Sequence, residues 1–157
     1  MIQRSILAVL FCVLISAGSS TAIANDVEPA FDLQHLYSSA EDQRVLLLLV
    51  SQPGCHYCDQ IREEILQPML ASGLYDKTTL IREIKIYAGK SLRDFNGKDV
   101  DATGFAKRYN AWATPTLLFL NRNGEEIADK MVGINTPEFY GYYVDKSLET
   151  AQASLSQ

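Results

Sequence analysis

Residues 45–58 read VLLLLVSQPGCHYC, an apolar run followed by turn-forming residues and by two cysteines two positions apart. Six apolar residues are too few for a lone buried helix, and with the turn formers at 51–54 they are typical of a central buried strand. After Cys55 the apolar residues recur at helical spacing, at Ile61, Ile65, Leu66, Met69 and Leu70. Cys55 is therefore predicted at the N-terminus of a helix.

The neighbouring segments have patterns of their own. Upstream, Phe31, Leu33, Leu36 and Tyr37 fit one face of a short helix ending near Ala40. In the helix after Cys55, Pro68 predicts a kink or an end, and Gly73 closes the segment. Downstream, residues 79–87 predict a strand with a partly solvated face, and the polar residues 88–101 predict a loop or a surface hairpin.

The C-terminal half predicts a helix, a β-hairpin and a final helix. The segments are a helix at 102–109, strands at 116–120 and 125–132 around a turn at 121–124, and a helix that starts at Thr136-Pro137, with Phe139, Tyr142, Tyr143 and Leu148 on its apolar face. This order combines a βαβ crossover with a terminal hairpin. It predicts an α/β fold with a mixed central sheet covered by helices on both faces.

The N-terminus resembles a secretion signal. Arg4 precedes an apolar stretch at 5–15, and Ala22-Ile23-Ala24 has the small-x-small pattern of a cleavage site. We predict a signal peptide at 1–24, one domain at 25–157, and a periplasmic or secreted location. An uncleaved membrane anchor is the alternative, but the apolar run is about half of the roughly 20 residues that a spanning helix needs.

Charge and cysteine count narrow the classes of function. The chain has a formal net charge of -5 at pH 7 and lacks the basic cluster that nucleic acid binding requires, so we expect no nucleic acid partner. Cleavage would leave two cysteines, which enclose a loop too short to stabilise the fold much. The pair is therefore assigned to chemistry, in a protein predicted to be a monomer without a cofactor.

The predicted position of the cysteines suits thiol-disulfide exchange. Unpaired N–H groups at a helix N-terminus stabilise negative charge on the first sulfur, so Cys55 is the predicted attacking thiolate and Cys58 the resolving thiol. A zinc site is the alternative, but only His35 and His56 could add soft ligands after cleavage, and His56 lies between the cysteines. We therefore predict no metal, and a structural role for His35.

Residues around the pair could tune its chemistry. A protonated His56 would raise the thiolate fraction of Cys55 and make the disulfide more oxidising; a solvated spacer is an equal alternative. Trp112 could line a substrate groove, although packing is the favoured interpretation.

These motifs resemble the thioredoxin family. The resemblance rests on residues 46–58, 113–119 and 123–125 and on Gly133, and it covers most of residues 41–153. It implies the thioredoxin fold, with Pro115 cis and facing the disulfide, and with the backbone of Thr114 pairing with a substrate strand.

Several positions depart from cytoplasmic thioredoxin. Leu49 stands where the family has a buried aspartate, and Glu83 on the next strand could replace that acid if it points inward; residue-type preferences favour a solvated Glu83. Tyr57 and Thr114 are similar to residues of bacterial periplasmic disulfide isomerases. The whole chain is similar to small secreted thioredoxins of the SoxW type.

The leading hypothesis is a periplasmic thiol-disulfide oxidoreductase that reduces protein disulfides. Its expected partners are proteins with disulfides or thiols, together with a redox partner in the membrane. Two alternatives stay open: a disulfide isomerase or oxidase, and a non-enzymatic module that binds a metal or a peptide.

Overall fold

The computed structural model describes residues 26–156, so the predicted signal peptide at 1–24 lies outside the described residues. The elements are β1 (Val45–Ser51), α1 (His56–Ile61), a π-helical segment (Arg62–Leu66), α2 (Gln67–Ser72), β2 (Thr79–Lys85), β3 (Ser91–Arg93), β4 (Asp99–Asp101), α3 (Ala102–Arg108), β5 (Thr116–Leu120), β6 (Glu126–Val132), a 3₁₀ turn (Pro137–Phe139) and α4 (Tyr140–Leu155). Each helix in residues 26–156 is too short or too polar to span a bilayer.

Four strands form the central sheet in the order β2-β1-β5-β6. β1 runs parallel to β2 and antiparallel to β5, which pairs antiparallel with β6. Every residue of β1 is buried, because the strand has a neighbour on each side and helices above and below. The ends of β1 and β2 and the start of β5 meet at one edge of the sheet, which we call the cysteine edge.

Helices cover both faces of the sheet, as predicted. On one face, α1, α2 and α4 contribute apolar side chains to a core that includes Ile61, Met69 and Leu148. On the other face, α3 inserts the fully buried Phe105, which packs near the rings of Phe95 and Tyr109. The predicted α/β architecture with a mixed sheet is confirmed.

The helix after the cysteines continues past Pro68. The expected interruption takes the form of a wider π-helical turn, in which the N–H of Gln67 donates to the C=O of Arg62, five residues back. Gly73 closes the helix in the left-handed conformation, at φ 65°, as its position predicted.

The predicted helix over Phe31–Ala40 is wrong. The start of the segment instead pairs with β3: the N–H of Arg93 donates to the C=O of Phe31 at 2.8 Å, and just upstream the N–H of Ala30 donates to the C=O of Glu83 in β2 at 2.8 Å. A sheet edge needs hydrogen-bond partners, and this segment supplies them. β2, which was predicted to have a partly solvated face, is largely buried.

Two further predictions concern the polar segment after β2 and the terminal helix. Residues 91–101 form the surface hairpin β3–β4, one of the two predicted forms. The terminal helix exists, but most of its predicted apolar face is wrong, because Phe139, Tyr142 and Tyr143 are exposed. Its buried positions follow a spacing of three to four residues, at Tyr140, Val144, Leu148 and Ala151.

Candidate active site

Cys55 and Cys58 lie at the cysteine edge and form a disulfide, with their Cα atoms 5.2 Å apart. Cys55 is the N-cap of α1, in an extended conformation with φ -94° and ψ 96°. Its side chain is half-buried, whereas Cys58, within the first turn of the helix, is completely buried. A partner approaching from solvent therefore meets the sulfur of Cys55 first.

The start of α1 directs backbone donors at the first cysteine. The N–H of Cys58 donates to Cys55 Sγ at 3.2 Å, and the Cys55 carbonyl accepts from the N–H of Asp59 at 3.1 Å. A donor aimed at sulfur stabilises negative charge there, and it acts together with the positive end of the helix dipole. This arrangement favours a thiolate at Cys55 once the disulfide is reduced.

The loop before β5 brings Thr114 and Pro115 to the same edge. Their peptide bond is cis, Pro115 is buried, and its carbonyl accepts from the N–H of Gly133 at 2.8 Å. The hydroxyl of Thr116 donates to the carbonyl of Ala113 at 2.7 Å and fixes the loop from the other side. Within residues 26–156 the N–H and C=O of Thr114 have no backbone partner, so they are free to pair with another chain.

His56 and Tyr57, between the cysteines, both face solvent. Tyr57 is 61% exposed, and the two ring centroids lie 5.8 Å apart. The exposed position of His56 suits a solvated spacer, and its predicted tuning effect on Cys55 stays a prediction.

Glu83 is buried, so the favoured prediction of a solvated side chain is wrong. Its carboxylate accepts from Nε and an Nη atom of Arg62 at 3.1 and 2.6 Å, and from the hydroxyl of Ser51. A buried carboxylate needs such partners, because leaving its charge unpaired away from water costs several kcal/mol, of the order of 3–5. The resemblance placed a buried acid at the position of Leu49 on β1. Glu83 pairs with Leu49 from the neighbouring strand β2, so the acid of this protein lies one strand away from that position.

The sequence interpretation missed Arg62 and Ser51 as members of this site. Arg62 follows Cys58 by four residues, a helical spacing that places both on the face towards the sheet, and this spacing could have identified it. Its hydrogen bond with Glu83 raises the pKa of the Arg62 guanidinium, and Arg62 in turn lowers the pKa of Asp59. The Arg62–Glu83 pair borders a cavity of about 310 Å³ beside the N-terminal segment.

Two other residues singled out by the sequence, His35 and Trp112, lie on the surface. His35 is exposed and its Nδ1 lies 3.0 Å from Asp32 Oδ2, in a surface pair outside the cysteine edge. Trp112 is 65% exposed, so the favoured prediction that it packs into the core is wrong. Among the described residues, no three His, Cys, Asp or Glu side chains are grouped in a way that could hold a metal ion.

The sequence matches one protein family, and the fold is similar to several solved structures. Residues 34–146 match the family described as thioredoxin-like domain, and no curated protein matches the sequence. The solved structure of a DsbH oxidoreductase has a TM-score of 0.51 at 14% identity, covering 85% of this chain and 92% of that one. A thioredoxin-fold protein from Helicobacter pylori has a TM-score of 0.46 at 20% identity, covering 79% of this chain and 92% of its own. Mitochondrial thioredoxin 3 from Saccharomyces cerevisiae has a TM-score of 0.47 at 16% identity, covering 78% and 93%.

The family match extends over well more than half of the chain and includes the cysteine pair, the cis-proline loop and the whole central sheet. The chain belongs to the thioredoxin-like family, as a thiol-disulfide oxidoreductase.

Proposed function

We propose that this protein reduces disulfide bonds of other proteins in the periplasm, with Cys55 as the nucleophile and Cys58 as the resolving thiol. The observation that carries the proposal is the asymmetry of the pair. Cys55 is accessible and its sulfur accepts the N–H of Cys58, whereas Cys58 is buried one turn into the helix. Attack by the accessible, stabilised thiolate is the faster first step.

The reaction conserves electrons in two exchanges. The Cys55 thiolate attacks one sulfur of a substrate disulfide, forms a mixed disulfide, and releases the other substrate sulfur as a thiolate that takes up a proton. Cys58 then loses its proton and attacks Cys55 Sγ, which releases the second substrate thiol. Two electrons pass to the substrate and the protein is left with the Cys55–Cys58 disulfide; a dithiol reductant must restore the pair.

Thr114 and Glu83 support these exchanges in different ways. The unpaired N–H and C=O of Thr114 would bind the extended backbone on one side of the substrate cysteine. Glu83 is a positioning residue, because it holds Arg62, one helical turn beyond Cys58, against the sheet. This contact fixes the orientation of α1 beneath the disulfide.

A trapping experiment tests the order of attack. Reduced Cys58→Ala protein mixed with a disulfide-containing protein should accumulate a mixed disulfide through Cys55, because the resolving step is lost. Cys55→Ala is the matched control and should give no adduct, since the remaining thiol is buried. Adducts of equal yield from both variants would contradict the assigned roles, and no adduct from either would argue for a non-enzymatic binding module.

The direction of electron flow is tested by the reduction potential of the pair. Equilibration in glutathione or dithiothreitol buffers should give a value near about -270 mV or below, in the range of reducing thioredoxins. A value near about -120 mV would instead identify a strong oxidant and favour the isomerase or oxidase alternative.

The location and the recycling partner are part of the same proposal. The signal-like residues 1–24 support export, and export separates the protein from cytoplasmic reductants, so a membrane protein is the proposed electron donor. The likeness to secreted SoxW-type thioredoxins supports the same assignment. Sequencing the N-terminus of the protein from a periplasmic extract should give a chain that begins at Asn25; recovery of the full-length chain in the membrane fraction would indicate an anchor.

A further inference from the structure

A cavity of about 310 Å³ opens at the outer edge of β2, where the N-terminal segment leaves the sheet. Glu83 of β2 pairs with this segment: its N–H donates to the C=O of Glu28 at 3.0 Å, and its C=O accepts from the N–H of Ala30 at 2.8 Å. The C=O of Phe31 instead accepts from the N–H of Arg93 in β3. The segment thus crosses from β2 to β3, and the space that opens between the two strands is the cavity.

Most of the cavity wall is apolar. The side chains of Ala30, Ile84 and Leu92 line it and are buried, as is Ala102 at the start of α3. Small-molecule sites are mostly apolar with a few polar groups, and this volume lies at the lower end of their range. Neither cysteine lines the cavity, so a molecule bound in it is separate from the disulfide.

Two lysines stand at one end of the cavity. Lys85 is the last residue of β2 and Lys90 directly precedes β3, so both flank the turn at 86–89 that joins these strands. Both residues are exposed, and within residues 26–156 neither forms an ion pair with a carboxylate. Their ammonium groups are therefore available to a ligand.

The carboxylates on the cavity wall already have partners. Glu83 accepts from Arg62 at 2.6 Å. The carboxylate of Asp26 accepts from the N–H of Val27 at 2.8 Å and from the side-chain amide of Gln67 at 3.2 Å. The wall carries three basic and two acidic side chains, in a chain whose net charge is -5. A local excess of positive charge on an acidic protein favours a negatively charged ligand here.

We propose that this cavity binds a small organic anion with an apolar body, of the aryl carboxylate or aryl sulfonate class. The apolar body packs against Ala30, Leu92 and Ala102, and the anionic group lies between Lys85 and Lys90. Burial of apolar surface supplies affinity, and the two ammonium groups select for negative charge. This binding function is additional to disulfide exchange.

The test uses two fluorescent probes that differ by one charged group. Anilinonaphthalene sulfonate is an aryl anion, and phenylnaphthylamine is the corresponding molecule without the sulfonate. Both gain fluorescence in an apolar environment, so titration of the oxidised protein gives a dissociation constant for each probe. A change in protein charge at the site should alter the binding of the first probe only.

We expect Lys85→Gln and Lys90→Gln each to weaken binding of the sulfonate probe by about threefold, and the double variant to weaken it by about tenfold. Binding of the neutral probe should not change. Lys77→Gln is the matched control, because it removes the same charge from an exposed lysine before the start of β2, at the other end of that strand. It should leave both dissociation constants unchanged.

A second variant tests the position of the apolar body. Ala102→Leu adds side-chain atoms to the cavity wall and should weaken binding of both probes by about tenfold or more. Far-ultraviolet circular dichroism checks that this variant folds. If it does not fold, the lysine variants, which change exposed side chains, decide the question alone.

No binding of the sulfonate probe by the wild-type protein, or equal binding by the wild type and the double lysine variant, would overturn the proposal. An equal loss in Lys77→Gln would also overturn it, because net charge alone would then account for the attraction. Retention of both probes by a folded Ala102→Leu protein would show that the probes bind elsewhere.

Discussion

The guanidinium of Arg62 joins a buried carboxylate to an exposed one. Its contact with Asp59, whose side chain is 54% exposed, is a surface ion pair of a kind that typically contributes about 0–1 kcal/mol. Its contact with Glu83, whose side chain is 6% exposed, is enclosed, and removal of one partner leaves the other charge poorly solvated. The two bonds have similar lengths, so burial decides which of them matters for stability.

Glu83→Gln should therefore lower the free energy of unfolding of the oxidised protein by about 1–3 kcal/mol, because the amide cannot neutralise Arg62. Glu63→Gln is the control, since Glu63 is exposed next to Arg62 in the π-helical segment and no side-chain partner is found for it within residues 26–156. Urea unfolding followed by circular dichroism measures both. Equal stability of the two variants would show that the Arg62–Glu83 contact does not hold the helix.

Among the smaller elements, the β3–β4 hairpin depends on one carboxylate. Asp94 is 2% exposed and accepts from Arg108 at 2.7 Å and from the N–H groups of Asn96 and Lys98 at 3.1 and 3.0 Å. The guanidinium of Arg108 is the main reason that the pKa of Asp94 lies below its ordinary value, and the two backbone donors add to the effect. The folded hairpin therefore stabilises the ionised form of the Asp94 carboxyl group.

Asp94→Asn should lower the free energy of unfolding by about 1–3 kcal/mol at pH 7. The folded-state pKa is depressed, so the stabilisation is complete above the unfolded-state pKa of about 4 and is lost as the pH falls through the lower folded-state value. The difference between the variant and the wild type should shrink below about pH 4. Unfolding curves at a series of pH values test this, and a difference that grows in acid would contradict it.

The start of α3 has a separate cap. The carboxylate of Asp101 accepts from the N–H groups of Thr103 and Gly104, at 3.2 and 2.6 Å. Asp101→Ala should cost about 1 kcal/mol of unfolding free energy, because two helix donors lose their acceptor. Asp99→Ala is the control, because Asp99 lies on the same strand and its carboxylate is 3.6 Å from Arg93 Nε, a long contact. This substitution should change the midpoint of unfolding little.

Elements fixed by their own residues were predictable, and those fixed by distant partners were not. The apolar run of β1 and the Cys55 helix follow from neighbouring residues, and so do the two strands around the 121–124 turn. The Phe31–Ala40 segment was mistaken for a helix because its start pairs with Arg93 of β3, which is distant in the sequence. Glu83 was judged solvated for the same reason, since its cation lies on another element.

At the scale of the whole molecule, the two cores share their central strands. Leu46 and Leu48 of β1 face the core under α3, whereas Leu47 and Leu49 face the core under α1 and α4. Neither core can lose its packing without disturbing β1, so the domain should unfold as one cooperative unit.

Phe105→Ala removes a large side chain from one core, and Leu148→Ala removes one from the other. The first should lower the free energy of unfolding by about 3–5 kcal/mol and the second by about 2–5 kcal/mol. Trp112 is the only tryptophan in the chain, so its fluorescence gives a second measure of unfolding. In both variants the unfolding transition followed by far-ultraviolet circular dichroism should coincide with the one followed by Trp112 fluorescence. Separated transitions in either variant would show that one core can unfold alone.

The pairing of Leu49 with Glu83 has an evolutionary consequence. A buried acid at either of these two paired positions would lie on the same face of the sheet, under α1. Two ionised acids there would repel each other strongly. Among relatives of this chain, an aspartate at the position of Leu49 should therefore accompany an uncharged residue at the position of Glu83, and the reverse. In a family alignment the two columns should therefore covary.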